Sequence, residues 1–339
     1  MHGPKIIFDK SFLHRLKAEH LFELDIFFDI MPTPILKREI LADLSKPESS
    51  KTDWESVVKS LCRKMAVSGM DLVHYRKASL YELMYGQEIP MDGTKYFIDA
   101  DASHVTVHGR GIHVDGRLLQ RDWRRWADGD FTDGERRQGE TFRNEIKELD
   151  LSGIQMLRKS MGQRFADFKT PEAVIRAVRH IVDDPATDNQ HFLFLITASS
   201  LQIPEADFPK ITSRLKKLGA KTLREGAPFA TSVTEIFFAW IALMARGLHG
   251  QRNSDICDIE YLYYAPFCKV FTSCDRLQKT LWPATSSKAV WCDGDELLDD
   301  VANRAELRKS DPDRMKGPYP APLEGSVITR IFEQLRQRR

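Results

Sequence analysis

Two apolar runs near opposite ends of the chain each stop at an aspartate. The first is Lys5-Ile6-Ile7-Phe8-Asp9, and the second is Lys269-Val270-Phe271-Thr272-Ser273-Cys274-Asp275. Short apolar runs bounded by polar residues read as buried strands. Where such strands lie parallel and adjacent, acids at their carboxyl ends point into one crevice. Carboxylates forced together repel one another, and a divalent cation that prefers oxygen ligands removes that cost. The pattern predicts an α/β chain with metal-dependent phosphodiester chemistry at its strand ends.

Composition leaves room for this arrangement. A chain of 339 residues that is 42% hydrophobic can bury a core as one large domain or two smaller ones. A net charge of +1 gives no global basic field, so any nucleic-acid binding must be local. The five cysteines (62, 257, 268, 274 and 292) form no C-x-x-C pair and no zinc-like spacing. Free thiols in a reducing cytoplasm are the expectation. Lys5, Asp9 and Lys10 interrupt any apolar leader, so no signal peptide is expected. Ala227 to Leu248 is the most apolar long segment. Thr231, Ser232, Thr234 and Glu235 within it favour a buried helix over a membrane span.

Between the two runs the character of the chain changes twice. Residues 11–28 carry apolar positions at Phe12, Leu13, Leu16, Leu21, Leu24, Phe27 and Phe28, and predict one helix capped by Ser11. Thr33-Pro34 opens a second helix, which sets Glu39 and Asp43 on one face. A linker, Pro47 to Lys51, precedes an amphipathic helix from Trp54 to Met65. Residues 94–118 alternate, with glycines at 93, 109, 111 and 116, and predict one or two hairpins. Residues 119–183 are charged and helical, 188–202 are apolar, and 207–218 form a short basic helix. After the apolar helix come a helix opening at Asp255, the strand 269–274 and a helix from Arg276. A Pro- and Gly-rich extended segment, 308–324, and a last helix, 325–338, follow.

The acids therefore fall in a fixed order: strand-Asp9, helix-Glu39, a helix opening with Asp255-x-x-Asp258, then Ser273-x-Asp275. This order resembles the PIN-like nuclease family. The likeness covers residues 4–45 and about 250–281, and the segment between has no counterpart in a minimal member. It implies a PIN-like parallel sheet flanked by helices, with strand-end acids that bind Mg²⁺ or Mn²⁺ and hydrolyse RNA or DNA. Residues 1–66 and 221–307 would be the two parts of that domain. Residues 67–220 would be a mainly helical insertion lobe containing a β-hairpin, and 308–339 an extended segment with a C-terminal helix.

Carried over residue by residue, Asp9 in Ile7-Phe8-Asp9 matches the first acid. Glu39 in Leu36-Lys37-Arg38-Glu39-Ile40-Leu41 matches the second, Asp258 the third and Asp275 the fourth, while Ser273 takes the family's small hydroxyl position. One helix turn can aim both Asp255 and Asp258 at the same place. Asp258 is the favoured ligand, and Asp255 is an outer or second-metal residue or the cap of its helix. Ser273, Arg252, Arg276 and His249 are expected to meet the substrate, although His249 and Arg252 equally suit a helix C-terminus complementing its dipole. Asp43 reads as a solvated helix-face acid. Mg²⁺ keeps several waters, so one or two direct carboxylates are enough. The ion lowers the pKa of a bound water and stabilises the pentavalent phosphate, and no His is required.

Other features have plainer readings. His104, His108 and His113 fit no common zinc spacing and suit a surface hairpin. Arg121, Arg124 and Arg125 with Trp123 and Trp126 could stack on single-stranded bases or form an amphipathic helix with buried Trp. Lys210, Arg214, Lys216, Lys217 and Lys221 carry the same pair of readings. Tyr261, Tyr263, Tyr264 and Phe267 read as core beneath the site. Asp293, Asp295, Asp299 and Asp300 lack the Gly and Glu of an EF-hand and read as helix capping around Gly294. A haloacid-dehalogenase-type phosphatase needs an acid two residues after Asp9, where this chain has Ser11.

The expected function is a metal-dependent endonuclease, with RNA favoured as its nucleic-acid partner. The alternatives are a structure-selective DNA nuclease and a PIN-like scaffold in an assembly. A protein partner or second copy would dock through the insertion lobe, no membrane contact is expected, and the expected location is cytoplasmic.

Overall fold

The computed structural model describes residues 3–47, 52–66, 72–93, 106–108, 111–113, 116–148, 159, 161–250, 252–312 and 323–338. Side chains of 106–121 lie outside the description, as do most of the 47–51 linker, His104 and residues 313–322 of the expected extended segment. The expected roles of Arg121, His108 and His113 therefore rest on undescribed side chains.

The sheet is four-stranded and wholly parallel, in the order β2-β1-β5-β6. Its strands are β1 (Lys5–Phe8), β2 (Asp29–Ile30), β5 (Val270–Ser273) and β6 (Val290–Asp293), while β3 (Thr106–His108) and β4 (Gly111–His113) pair separately as an antiparallel hairpin. The two apolar runs seen in the sequence are the two central strands. Ile6, Ile7, Val270 and Phe271 are fully buried, as expected for a parallel sheet covered on both faces. Ile6 pairs with Val270, Ile7 with Phe271 and Phe8 with Thr272, so Asp9 and Ser273 emerge together at the carboxyl edge. This is the α/β class the sequence predicts.

Three local expectations are corrected. The single helix over 11–28 is two helices, Lys10–Arg15 and Ala18–Phe27, because Leu16 turns extended (φ −65°, ψ 132°) as its side chain enters the core. The cap of the first is Asp9, whose Oδ1 accepts the Phe12 N–H at 2.9 Å, while Ser11 Oγ donates to Asp9 Oδ2 at 2.7 Å. Beyond Asp275 the chain continues into β6 and a long helix, Gly294–Ser310, which the acid-rich sequence disguised. Asp293 caps that helix, so the capping reading of this acidic patch holds. Gly294 is required there, since a Cβ would lie 2.7 Å from both the Ser273 carbonyl carbon and Cys274 Sγ.

The connection from β2 to β5 contains residues 67–220, and its described helices pack directly onto those flanking the sheet. Gly116–Ala127 lies on Trp54–Met65, and Asp133–Lys147 lies on Pro34–Ala42. Gly139 permits the second contact, because a Cβ there would sit 2.3 Å from the Leu41 carbonyl oxygen. Tyr75–Tyr85, Pro171–Asp183 and Thr187–Leu201 pack on Pro228–Ala245. Their buried side chains join the strands in one hydrophobic cluster. Pro228–Ala245 is long and apolar enough to cross a membrane, but 89% of it is buried inside the fold. It forms the central core helix, as its Thr, Ser and Glu content predicts.

Candidate active site

Each strand-end aspartate does two jobs. Asp9 and Asp275 both cap the helix that follows their strand, with Asp275 Oδ1 accepting the Gln278 N–H at 2.9 Å. Capping through one oxygen fixes the carboxylate's orientation at the carboxyl edge of the sheet. Ser273 then joins the pair: its Oγ accepts the Asp275 N–H at 2.8 Å and lies 2.8 Å from Asp9 Oδ2, to which it donates. Ser273 is buried, and these contacts occupy its hydroxyl. Through these contacts Ser273 positions the two acids.

Glu39 reaches the same edge from the Pro34–Ala42 helix. Thr33 Oγ1 accepts the Leu36 N–H at 3.3 Å and Pro34 occupies the first turn, so the helix starts where the sequence places it. Tyr261 Oη donates to Glu39 Oε2 at 2.6 Å, and Lys10 Nζ lies 3.2 Å from the Glu39 carbonyl oxygen. Asp258 comes from the helix Asp255–Leu262, and Tyr261 follows it by three on the same face. That spacing could have flagged Tyr261 as more than core. Tyr264 also has a polar duty, accepting the Tyr75 N–H at 3.2 Å.

The four acids share one electrostatic environment. Burial raises Asp258 to about 8, and the charges of Asp275, Glu39, Asp9 and Asp255 push in the same direction. Burial also raises Asp9, opposed by hydrogen bonds from Phe12, Ser11 and Ser273 and assisted by Asp275. Glu39 is raised by burial, with Lys10 and Tyr261 opposing and Asp9 and Asp43 assisting. Burial first, and neighbouring charge second, therefore raise Asp9, Glu39 and Asp258 together. Such a set offers hard oxygen donors whose repulsion a divalent cation would relieve. Among the described residues, no three His, Cys, Asp or Glu side chains already stand in metal-holding geometry.

Other predicted residues take different places. Asp255 is buried at the first helical position after Ser254, with Oδ2 accepting the Arg252 N–H at 3.1 Å and lying 2.9 Å from His249 Nε2. His249 and Asp255 therefore lock the entry of the Asp258 helix, with both short contacts on Asp255 Oδ2. The Arg252 and Arg276 side chains are exposed, Arg252 by 77%, so both are free to meet a substrate. Asp43 is buried and ion-paired with Lys10 at 3.1 Å and Lys46 at 2.8 Å, which replaces its solvated reading. Trp123 and Trp126 are buried edge-to-face at 5.2 Å, which leaves no ring for base stacking.

Sequence reasoning missed a second buried acid on the Asp258 helix. Glu260 lies 3.7 Å from His74 Nε2 and 3.9 Å from Arg38 Nη1. Burial raises it to about 7 and lowers His74 to about 4. Comparison of the chain with family models, characterised proteins and solved structures finds no match.

The Ser273 bridge carries a direct prediction. Ser273→Ala leaves the buried Asp9 carboxylate one donor short, and is expected to lower unfolding stability by about 1–3 kcal/mol. Urea unfolding monitored by tryptophan fluorescence checks this. Stability unchanged within error would show that the bridge contributes nothing.

Proposed function

We propose that this chain is a PIN-like, metal-dependent endonuclease, with RNA as the favoured substrate. The observation that carries the reading is the charge-coupled set Asp9, Glu39, Asp258 and Asp275 at the carboxyl edge of the two central parallel strands. Mg²⁺ or Mn²⁺ held by these carboxylates, directly or through waters, would supply an acidified water and positive charge for the pentavalent phosphate.

The chain's own groups prepare that site. Ser273 and the two helix caps hold Asp9 and Asp275 in fixed orientations. Tyr261 orients Glu39. Asp258 carries its proton near neutrality and must release it for its carboxylate to ligate, so cleavage should rise with pH toward about 8. Exposed Arg252 and Arg276 can meet the backbone phosphates at the rim.

The test is cleavage of single-stranded RNA, single-stranded DNA and flapped duplex in Mg²⁺ or Mn²⁺. Asp9→Asn and Asp275→Asn keep a capping oxygen, so both should retain the wild-type circular dichroism. Each should lose activity by about 100-fold or more. Full activity in both variants would remove the carboxylate set from the chemistry.

A further inference from the structure

A basic groove lies between two helices outside the acid site. The helix Phe208–Lys217 carries Lys210, Arg214, Lys216 and Lys217 and no acid. It packs on Tyr75–Tyr85, and between them opens a groove of about 540 Å³ lined by Tyr85, Lys210, Ser213, Arg214, Lys217 and Leu218, among others, with no carboxylate in its wall. Lys210, Ser213, Arg214 and Lys217 follow helical spacing, so one stripe of the helix faces the groove. Opposite them Tyr85 is 65% exposed, and Leu218, at the end of the same helix, is 59% exposed.

The wall is built rather than loose. Arg214 donates to the Leu83 carbonyl at 3.3 Å and to the Gly226 carbonyl at 3.0 Å, which fixes the two helices against each other. Lys210 Nζ sits 4.3 Å from the centre of the Tyr85 ring. Among the described residues, no carboxylate pairs with Lys210, Lys216 or Lys217. In a chain of net charge +1, this is a local concentration of unpaired cations beside an exposed aromatic face.

That combination is complementary to single-stranded nucleic acid: cations follow the phosphates, and an exposed ring stacks on an unpaired base. One wall of the groove also leads toward the helix that carries Asp258. The 11-residue helix Tyr75–Tyr85 spans roughly 16 Å at 1.5 Å per residue. Its N-cap, His74, lies 3.7 Å from Glu260 on the Asp258 helix.

We propose that the Tyr85–Lys217 groove is an accessory binding site for single-stranded nucleic acid. Binding there is independent of the nuclease reading above. The experiment uses the full chain carrying Asp275→Asn, in EDTA, with fluorescein-labelled U₁₅ and dT₁₅ and a matched duplex, read by anisotropy across a salt series. Lys210→Glu with Lys217→Glu should weaken single-strand binding by at least about ten-fold and flatten the salt dependence. Tyr85→Ala should weaken it by about ten-fold with the salt slope kept, and Tyr85→Phe should restore it.

No detectable binding, or equal affinity in the charge-reversed and Tyr85→Ala proteins, overturns the proposal, as does preference for the duplex. Binding with these sensitivities supports it even if the chain without Asp275→Asn cleaves nothing in Mn²⁺. That last result would overturn the nuclease reading alone.

Discussion

At pH 7 and without metal, Asp258→Asn is expected to melt at a higher temperature than the unsubstituted protein while losing all metal-dependent cleavage. The sign follows from the raised pKa. Asp258 titrates near 8 in the fold and near its ordinary 3.8 when unfolded. Its contribution to stability is fully present below about 4 and is lost as the pH rises through about 8. The limit is roughly 1.4 kcal/mol per pH unit across that window, an upper bound because the side chain keeps part of its hydration. Asparagine takes no part in this titration, so the melting difference should widen from pH 5 to pH 8. Mn²⁺ should then raise the melting temperature of the protein with Asp258 and leave the variant nearly unmoved. A variant that melts lower at every pH would show that Asp258 is a structural hydrogen-bond partner and not a repelled acid.

The second large effect lies away from the crevice. Glu235 is fully buried in the core helix Pro228–Ala245, where Arg179 Nε meets it at 2.9 Å, Arg224 Nη2 at 2.5 Å and Ser286 Oγ at 3.3 Å. Arg179 also donates to the Pro283 carbonyl, and Arg224 to Ser286 Oγ. The clamp therefore anchors the loop that feeds β6. Removing both arginines strands a carboxylate in the core, and Arg179→Ala with Arg224→Ala should cost about 3–5 kcal/mol. Adding Glu235→Leu should restore most of that loss, because no buried charge is then left unpaired. Urea unfolding of the three proteins checks it, and a double variant within 1 kcal/mol of the starting stability would refute the clamp.

What the sequence revealed and what it concealed have separate physical causes. Runs such as Ile6-Ile7-Phe8 announce buried strands because water exclusion alone selects them, and an acid at the end of such a run is conspicuous. Thr33-Pro34 and Trp54–Met65 were legible because caps and helical periodicity are local. β6 was not, since four residues ending in an acid-rich helix leave no long apolar signal. The packing of residues 116–147 on the helices beside the sheet is hidden in the sequence because the partners are distant in it: Gly139 against Leu41 appears only once the helices are packed. Asp255 illustrates the limit within the site. Its spacing from Asp258 is that of two ligands, yet His249 and the Arg252 N–H occupy it. The order of the acids was readable, whereas which of them are held by neighbours was not.

The pairing of β1 with β5 has a consequence for how the protein comes into being. Asp9 meets Ser273 across a sequence separation of 264 residues. During synthesis at roughly 5–20 residues per second, the first strand waits tens of seconds for its neighbour. Until residue 258 is made the nascent chain holds only Asp9 and Glu39 of the four acids, and Asp258 joins them before the strand Val270–Ser273 exists. If the four acids form the site proposed above, a chain that stops short of Asp258 lacks two of them.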